Sequence, residues 1–371
     1  MNKIKVLRIL SLGLITAQIS ACGEPYIKLN LNKLGSRISI HTEKQNQYIN
    51  DTYDSFIKYA NGVDESSRPN PIKLVYKTKS NQKNIQYNIK VWEKEEAENV
   101  WNFTTNKTSF DLYNCKINTT YNWQVIASNG TIEQESEIGE FTTENSIIRN
   151  IYIDGITNVR DIGGFVTSSG KIVKQGLIYR SAAFNDSTTT LTTPVSYITE
   201  VGKETVAEQL KIKTEIDLRK VENNEVGGLT NKSVISDEIN YVQLPMIYEG
   251  KDVLLNNKEN VKTLFEMFAD SNNYPINFHC TWGRDRTGAI AFALEALLGV
   301  KEEDIYKDYF FSQFSSQKGY IFSKDAINKL HFKSIKDYEG DSLQEKAYNL
   351  LKNEDGISEE TLNQIIDNLL E

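Results

Sequence analysis

The 371-residue chain contains only three cysteines and three histidines. Three cysteines in so long a chain exclude a disulfide framework as the basis of stability, so each is read singly. The histidines, His41, His279 and His331, are scattered and no Cys/His cluster accompanies them. No metal-ligand set results, and neither a metal nor another cofactor is expected. Basic residues number 42 against 50 acidic ones, for a formal net charge of −8, and no long lysine or arginine block is present. Nucleic acid is therefore not expected as a partner, because phosphate-backbone binding needs a positive footprint. Any anionic substrate must be held by a local site. Apolar runs stay short of the roughly 20 residues needed to span a membrane as a helix. Internal repeats and long low-complexity tracts are also lacking. A hydrophobic fraction of 39% then describes an ordinary folded protein, long enough for two domains with separate cores.

Lys3, Lys5 and Arg8 precede and enter an apolar stretch over residues 6–15, and the small residues Ser20 and Ala21 stand just before Cys22. That order of charge, apolar run and small residues is a signal-peptide layout. The tetrapeptide Ile19-Ser20-Ala21-Cys22 resembles a bacterial lipobox. The resemblance implies removal of residues 1–21, diacylation of Cys22 and an extracytoplasmic protein anchored to a bacterial membrane.

Residues 22–64 are polar and rich in Asn, Lys, Ser and Gln, and read as a spacer with at most a short helix around Tyr53, Phe56, Ile57 and Tyr59. Alternation then begins with Ile72, Leu74 and Tyr76, continues with Tyr87, Ile89 and Val91, and returns with Tyr121, Trp123 and Val125. Such period-two runs predict antiparallel strands of a small all-β sandwich over residues 65–147. Cys115, Tyr121, Trp123 and Val125, followed by Glu140-Phe141-Thr142-Thr143, resemble the end of a fibronectin type III module. The resemblance implies a protein or glycan partner for the sandwich. Cys115 takes the place of a leucine usual in that family, which makes it a small buried apolar residue rather than a reactive thiol.

After residue 148 short apolar strands alternate with helical stretches. Strands are expected at 178–180, 214–218, 241–244 and 276–279. Helices are expected around Val261, Leu264, Phe265 and Phe268, over 287–298, over 305–311, and at the C-terminus behind Ser358 as N-cap. This alternation predicts an α/β domain over 148–371, with a central sheet flanked by helices. The helix at 287–298 is apolar all round except Glu295, as a buried central helix is.

The chemistry concentrates in His279-Cys280-Thr281-Trp282-Gly283-Arg284-Asp285-Arg286-Thr287-Gly288. A strand ends at Cys280, a short loop follows, and the buried helix begins near Arg286. Loop amides and the helix N-terminus would converge on an anion there. The same field favours the thiolate of Cys280. Arg286 can hold two phosphate oxygens as a fork. Gly283 permits a turn that side chains would obstruct, and Gly288 allows close packing in the first helical turn. Thr287 offers a hydroxyl near the sulfur, suited to stabilising it as a leaving group.

Cys280, five intervening residues, Arg286 and Thr287 resemble the signature loop of the cysteine-dependent phosphatases, and the wider segment resembles their atypical bacterial tyrosine and dual-specificity branch. Three further segments match that branch in order: Asn158-Val-Arg160-Asp161-Ile-Gly163-Gly164, Gly176-Leu-Ile-Tyr179-Arg180-Ser181, and Ile216-Asp217-Leu218-Arg219 with Glu222. The resemblance implies hydrolysis of phosphate monoesters through a phosphocysteine, without metal. Residues 281–286 (Thr281, Trp282, Gly283, Arg284, Asp285 and Arg286) would bind the phosphate, with His279, Gly288, Arg160 and Asp161 in support. It implies a phosphotyrosine protein as substrate, with a phosphoinositide or inositol phosphate as the alternative, for which Arg284 would supply an extra cation. A reading of a different class is a surface-binding lipoprotein whose second domain is inert. Arg284 stands where lysine is usual, and Trp282, a wall of the site or a packed aromatic, stands where a small residue is more frequent. The tryptophan-proline-aspartate acid loop of other tyrosine phosphatases is missing from the sequence. Asp285 and Asp217 are the candidates for general acid, Asp285 being favoured for its place in the loop, with water or Glu222 able to share the transfer.

Overall fold

The computed structural model describes residues 24–52, 58–59, 64–185, 197–220, 232–248, 252–315 and 323–371. Cys22 and the leader before it, Tyr53, Phe56, Ile57 and Glu222 lie outside the described residues. No helix among the described residues is long and apolar enough to cross a membrane.

The first half of the chain folds into two facing sheets. One has the order β1 (Ile27–Leu31), β3 (Ile72–Ser80), β6 (Ser109–Leu112). The other runs β2 (Ser36–Ile38), β9 (Gly139–Thr143), β7 (Thr120–Ser128), β4 (Gln86–Glu93), β5 (Val100–Thr105), with β8 (Glu133–Glu135) paired to β7. The alternating residues decide which face is inward: Leu74, Tyr76, Ile89, Val91, Trp123 and Val125 are all buried in one apolar cluster. Val91 stands opposite Trp123 and Ile89 opposite Val125. Cys115 lies in the same cluster, where burial pushes its thiol well up, and the Tyr121 hydroxyl accepts a 2.8 Å bond from the Lys116 amide.

The stretch expected as a spacer does more than connect. β1 pairs antiparallel with β3 and β2 pairs with β9, so residues 27–38 complete both sheets. Their alternation, Ile27, Leu29 and Leu31 between Lys and Asn, is short enough to be hidden by the polar composition around it. The helix of this stretch, α1 (Glu43–Asn50), precedes the expected aromatic grouping. It is opened by a reciprocal capping box between Thr42 and Gln45. Its Tyr48 and Ile49 are buried in the core of the other half of the molecule, and the Tyr48 hydroxyl donates to the Lys307 carbonyl at 2.7 Å.

That second half is an α/β unit around a five-stranded sheet. Its strands are β10 (Arg160–Asp161), β11 (Ile178–Ala182), β12 (Thr214–Asp217), β13 (Asn240–Gln243) and β14 (Ile276–Cys280), in the spatial order β10-β11-β14-β12-β13. All pairings except that of β10 are parallel. β14 is central, and all five of its residues, Asn277 and His279 included, are buried, as in a sheet covered on both faces. Helices α2 (Glu200–Glu204), α3 (Lys258–Ala269), α4 (Asp285–Leu297), α5 (Glu302–Phe311), α6 (Lys324–Leu330), α7 (Lys333–Lys336), α8 (Leu343–Asn353) and α9 (Glu359–Leu369) pack around it. α9 begins where expected, the Ser358 hydroxyl accepting from the Thr361 amide at 3.0 Å. α8 was not anticipated, although Ala347, Leu350 and Leu351 form its buried stripe and Ser342 caps it.

Candidate active site

The carboxyl ends of β11, β14 and β12 converge on one edge of the sheet, the place where open α/β folds form their ligand crevices. Cys280 is the last residue of β14, lies opposite Ala182 of β11, and is 3% exposed. A four-residue loop separates it from Asp285, the first residue of α4. Gly283 makes that loop possible: its φ is +66°, and a Cβ there would lie 2.2 Å from the Ser181 carbonyl oxygen. Gly288 lets α4 pack on Tyr309, whose ring a Cβ would meet at 2.5 Å.

The loop's carbonyls are held by the scaffold behind it. The Thr281 carbonyl accepts from the Ala183 amide at 3.3 Å, the Trp282 carbonyl from Asn158 Nδ2 at 2.9 Å, and the Gly283 carbonyl from Arg180 Nη2 at 2.9 Å. With its carbonyls turned to these donors, the loop has its N–H edges to offer an anion, next to the positive end of α4, which has no side-chain cap.

Arg286 is buried in the first turn of α4. It donates from Nη1 to the Leu218 carbonyl at 3.2 Å and from Nη2 to Thr281 Oγ1 at 3.4 Å, and its guanidinium lies 4.4 Å from the centre of the Tyr248 ring. Thr287 Oγ1 is buried with no hydrogen-bond partner among the described residues. A hydroxyl in that state is suited to bonding a group that arrives with substrate. His279 faces the interior rather than the crevice. Its Nε2 is 2.9 Å from Glu215 Oε1 and its Nδ1 3.7 Å from Asp217 Oδ1, and Phe184 packs 5.5 Å from the ring. These contacts orient the ring and, through β14, the cysteine beside it.

Both carboxylates expected to serve as acid are placed otherwise. Asp217 is fully buried and shares both oxygens with Arg219 at 2.7 to 3.0 Å, with a further 3.0 Å bond from the Tyr241 hydroxyl. Burial pushes its carboxyl up, but the charges of Arg219 and His279 and the Arg219 hydrogen bonds outweigh it and bring it down to about 2. Asp285 pairs with Arg284 at 3.0 and 3.1 Å rather than with Arg286, accepts from the Tyr309 hydroxyl at 3.2 Å and lies 3.6 Å from His331 Nε2. Burial again opposes ionisation, and the His331 imidazole with the Arg284 guanidinium overcomes it, holding the carboxyl well below the usual range. Both carboxylates are thus tied into buried ion pairs within the scaffold. Arg284, expected to touch substrate, is thereby engaged inside the loop, and Glu222 lies outside the described residues.

The remaining motifs turn out to be supports. Arg160 donates from Nε to Asp308 Oδ1 at 2.7 Å, and Arg180 also bonds Asp308, so one buried carboxylate of α5 spans both arginines. Asp161 accepts from the Gly163 amide at 2.8 Å, the Gly176 amide at 2.6 Å and Arg149 Nη1 at 2.6 Å. Asp308 was missed, and its signal was faint: an acid on the face of α5 that otherwise buries Ile305, Tyr306, Tyr309 and Phe310. Tyr248, Tyr309 and His331 reach the loop from distant segments and give no local signal.

The profile of the tyrosine phosphatase family matches residues 151–371, well over half of the chain. The chain belongs to the tyrosine phosphatase family. A protein of Cupriavidus necator described as a tyrosine-protein phosphatase is 24% identical over 209 residues, which span 49% of this chain and 68% of that protein. Among solved structures, the catalytic core of the PP-IP phosphatase Siw14 of S. cerevisiae is similar at 19% identity, covering 51% of this chain and 91% of its own, with a TM-score of 0.28. TpbA of P. aeruginosa, solved with pTyr, is 16% identical and covers 48% of this chain and 90% of its own, with a TM-score of 0.30. As a member of this family the chain is a cysteine-dependent phosphatase, a hydrolase of phosphate monoesters that works without a metal.

Proposed function

We propose that Cys280 is the nucleophile and that phosphotyrosine in proteins is the substrate. The observation that carries the reading is the junction itself: a buried cysteine ending the central strand, a loop tied back by its carbonyls, and Arg286 fixed in the first turn of α4. Cys280 Sγ attacks phosphorus and the ester oxygen departs; the loop amides and the Arg286 fork take up charge on the three equatorial oxygens. Water then attacks the phosphocysteine, and the Thr287 hydroxyl stabilises the departing thiolate. With Asp217 engaged by Arg219 and Asp285 by Arg284, the leaving oxygen takes its proton from water or departs as an anion. Phenolates depart as anions far more readily than alkoxides, which favours aryl phosphates. The engagement of Arg284 by Asp285 takes away the extra cation on which the inositol phosphate alternative drew. The test is a panel assay of the purified chain against phosphotyrosine peptides, phosphoserine peptides and phosphoinositides with chelator present. Preference for phosphoserine or phosphoinositide overturns the substrate reading.

The site of action rests on the N-terminal segment. Acylation of Cys22 behind Ala21 tethers the enzyme outside the cytoplasm to a bacterial membrane, two chains being sufficient for stable anchoring. The fibronectin-like sandwich then presents its surface to a protein or glycan partner. Mass spectrometry of the mature native protein showing an unmodified Cys22 refutes the anchor.

A further inference from the structure

We infer that Ser67, which precedes the family-matched region, is a positioning residue for the phosphate-binding loop, so that the segment before β3 belongs to the catalytic unit; the inference rests on the phosphatase reading of that loop. The family match begins at residue 151. Ser67 nevertheless reaches the loop in two bonds. Its Oγ accepts from the backbone amide of Asn158 at 3.1 Å, and Asn158 Nδ2 donates to the Trp282 carbonyl at 2.9 Å, one residue from the turn at Gly283. Ser67 and Asn158 are both buried, so this relay is shielded from competing water.

Each end of the relay is fixed. The Ser67 hydroxyl proton is committed to Glu65 Oε1, which leaves the oxygen's lone pairs for the Asn158 amide. Ser67 itself is set by α1: Gln45 Nε2 donates to the Ser66 carbonyl at 2.7 Å and to the Arg68 carbonyl at 2.9 Å, and Asn150 Nδ2 donates to the Ser67 carbonyl at 2.9 Å. Asn158 has a φ of +57°, in the left-handed region that asparagine adopts more readily than most residues, and the bonds around it select that conformation. Without the Ser67 acceptor, a buried donor is stranded at the residue that holds the Trp282 carbonyl, and the shift of Asn158 that relieves it pulls on the loop against the bonds that Arg160 and Ser312 make to its side chain.

The test uses the full chain, nitrophenyl phosphate and vanadate. Ser67→Ala should lower kcat/KM and weaken vanadate binding by about tenfold each, the scale of one stranded buried donor. Ser66→Ala is the control. It removes a bond from the adjacent hydroxyl to the Phe314 carbonyl that does not lead to the loop, and should change both quantities less than about twofold. Ser67→Thr keeps the acceptor and should recover most of the loss. In an Asn158→Ala background, Ser67→Ala should add almost nothing, because the relay is already cut. Should Ser67→Ala not fold, Ser67→Cys, which puts a weak sulfur acceptor in place of the oxygen, should still weaken vanadate binding severalfold. Unchanged vanadate affinity in the folded Ser67→Ala chain, or in Ser67→Cys if Ser67→Ala does not fold, overturns the inference. A wild-type chain that neither turns over nor binds vanadate overturns the phosphatase reading instead.

Discussion

Among the described residues, two buried cysteines sit in two different surroundings. Cys115 is 1% exposed inside the sandwich, among Ile72, Leu74, Tyr121 and other apolar side chains, and burial pushes its thiol far up. Cys280 is 3% exposed, yet it ends a strand where a loop, the start of a helix and two arginines meet, and it lies within electrostatic reach of Arg284. Near-equal burial gives one inert packing atom and, under the function we propose, one nucleophile. What separates them is the polar loop and helix start beside the Cys280 sulfur, where Arg284 and Arg286 are buried.

The largest expected effects test this contrast directly. Cys280→Ser should lower turnover by roughly 10⁴-fold or more while leaving vanadate or substrate binding in place, since the loop amides and Arg286 remain. Cys115→Ser should do the reverse, keeping kcat and losing about 1–3 kcal/mol of stability by burying a hydroxyl among apolar groups. Full turnover in the first variant removes the mechanism, and lost turnover in a folded second variant removes the contrast. Next in size is Arg286→Lys, for which a loss on the order of 10²–10³-fold in kcat/KM is expected, because a point charge cannot reproduce the bidentate fork. A loss of less than about fivefold there places the oxyanion-binding charge elsewhere.

The four phosphatase segments were readable in the sequence because each is a short run in which charge interrupts apolar residues, and their order along the chain was informative. Partner choice was not readable. Asp285 binds Arg284 instead of Arg286, and Asp217 binds the arginine two positions on, outcomes fixed by backbone direction at a helix start and a strand end. The same applies to Asp308, whose two arginine partners lie 148 and 128 residues away. The strands β3, β4, β7 and the core helices were legible from period alone. β1, β2 and α1 were not, because a strand whose outward face is lysine and asparagine has the composition of a linker.

Asp217 and Asp285 divide the next prediction. A group whose folded pKa is depressed stabilises the fold above its unfolded pKa and loses that contribution as pH falls through the folded value. For Asp217, brought down to about 2, the stabilisation is complete above about pH 4 and disappears between about pH 4 and 2, amounting to on the order of 2 kcal/mol. The Asp217 contribution to thermal melting should therefore be constant from pH 7 to 5 and fall away below pH 4, and Asp217→Asn should lose stability at neutral pH and flatten the wild type's fall below pH 4. For catalysis, Asp285→Asn and Asp217→Asn should each slow nitrophenyl phosphate and alkyl phosphates by similar factors. A loss confined to alkyl phosphates in either variant restores that residue as the general acid.

The smallest expected effect concerns Tyr248, whose ring lies 4.4 Å from the Arg286 guanidinium. A cation over an aromatic face is worth about 0.5–2 kcal/mol, the upper end applying when both are shielded from water. Arg286 is buried but Tyr248 is only partly so, which places the effect in the middle of that range. The ring can act in two ways: it can hold the guanidinium in the orientation that presents its fork to phosphate, or it can shield the crevice by bulk alone. Tyr248→Leu removes the π face and keeps apolar bulk, so it should weaken vanadate binding by about three- to tenfold if orientation is what matters. Tyr248→Phe keeps the face and should stay within about twofold of the wild type. Equal losses in both variants transfer the role to the hydroxyl, and loss in neither leaves the Leu218 carbonyl and Thr281 as the contacts that hold the arginine.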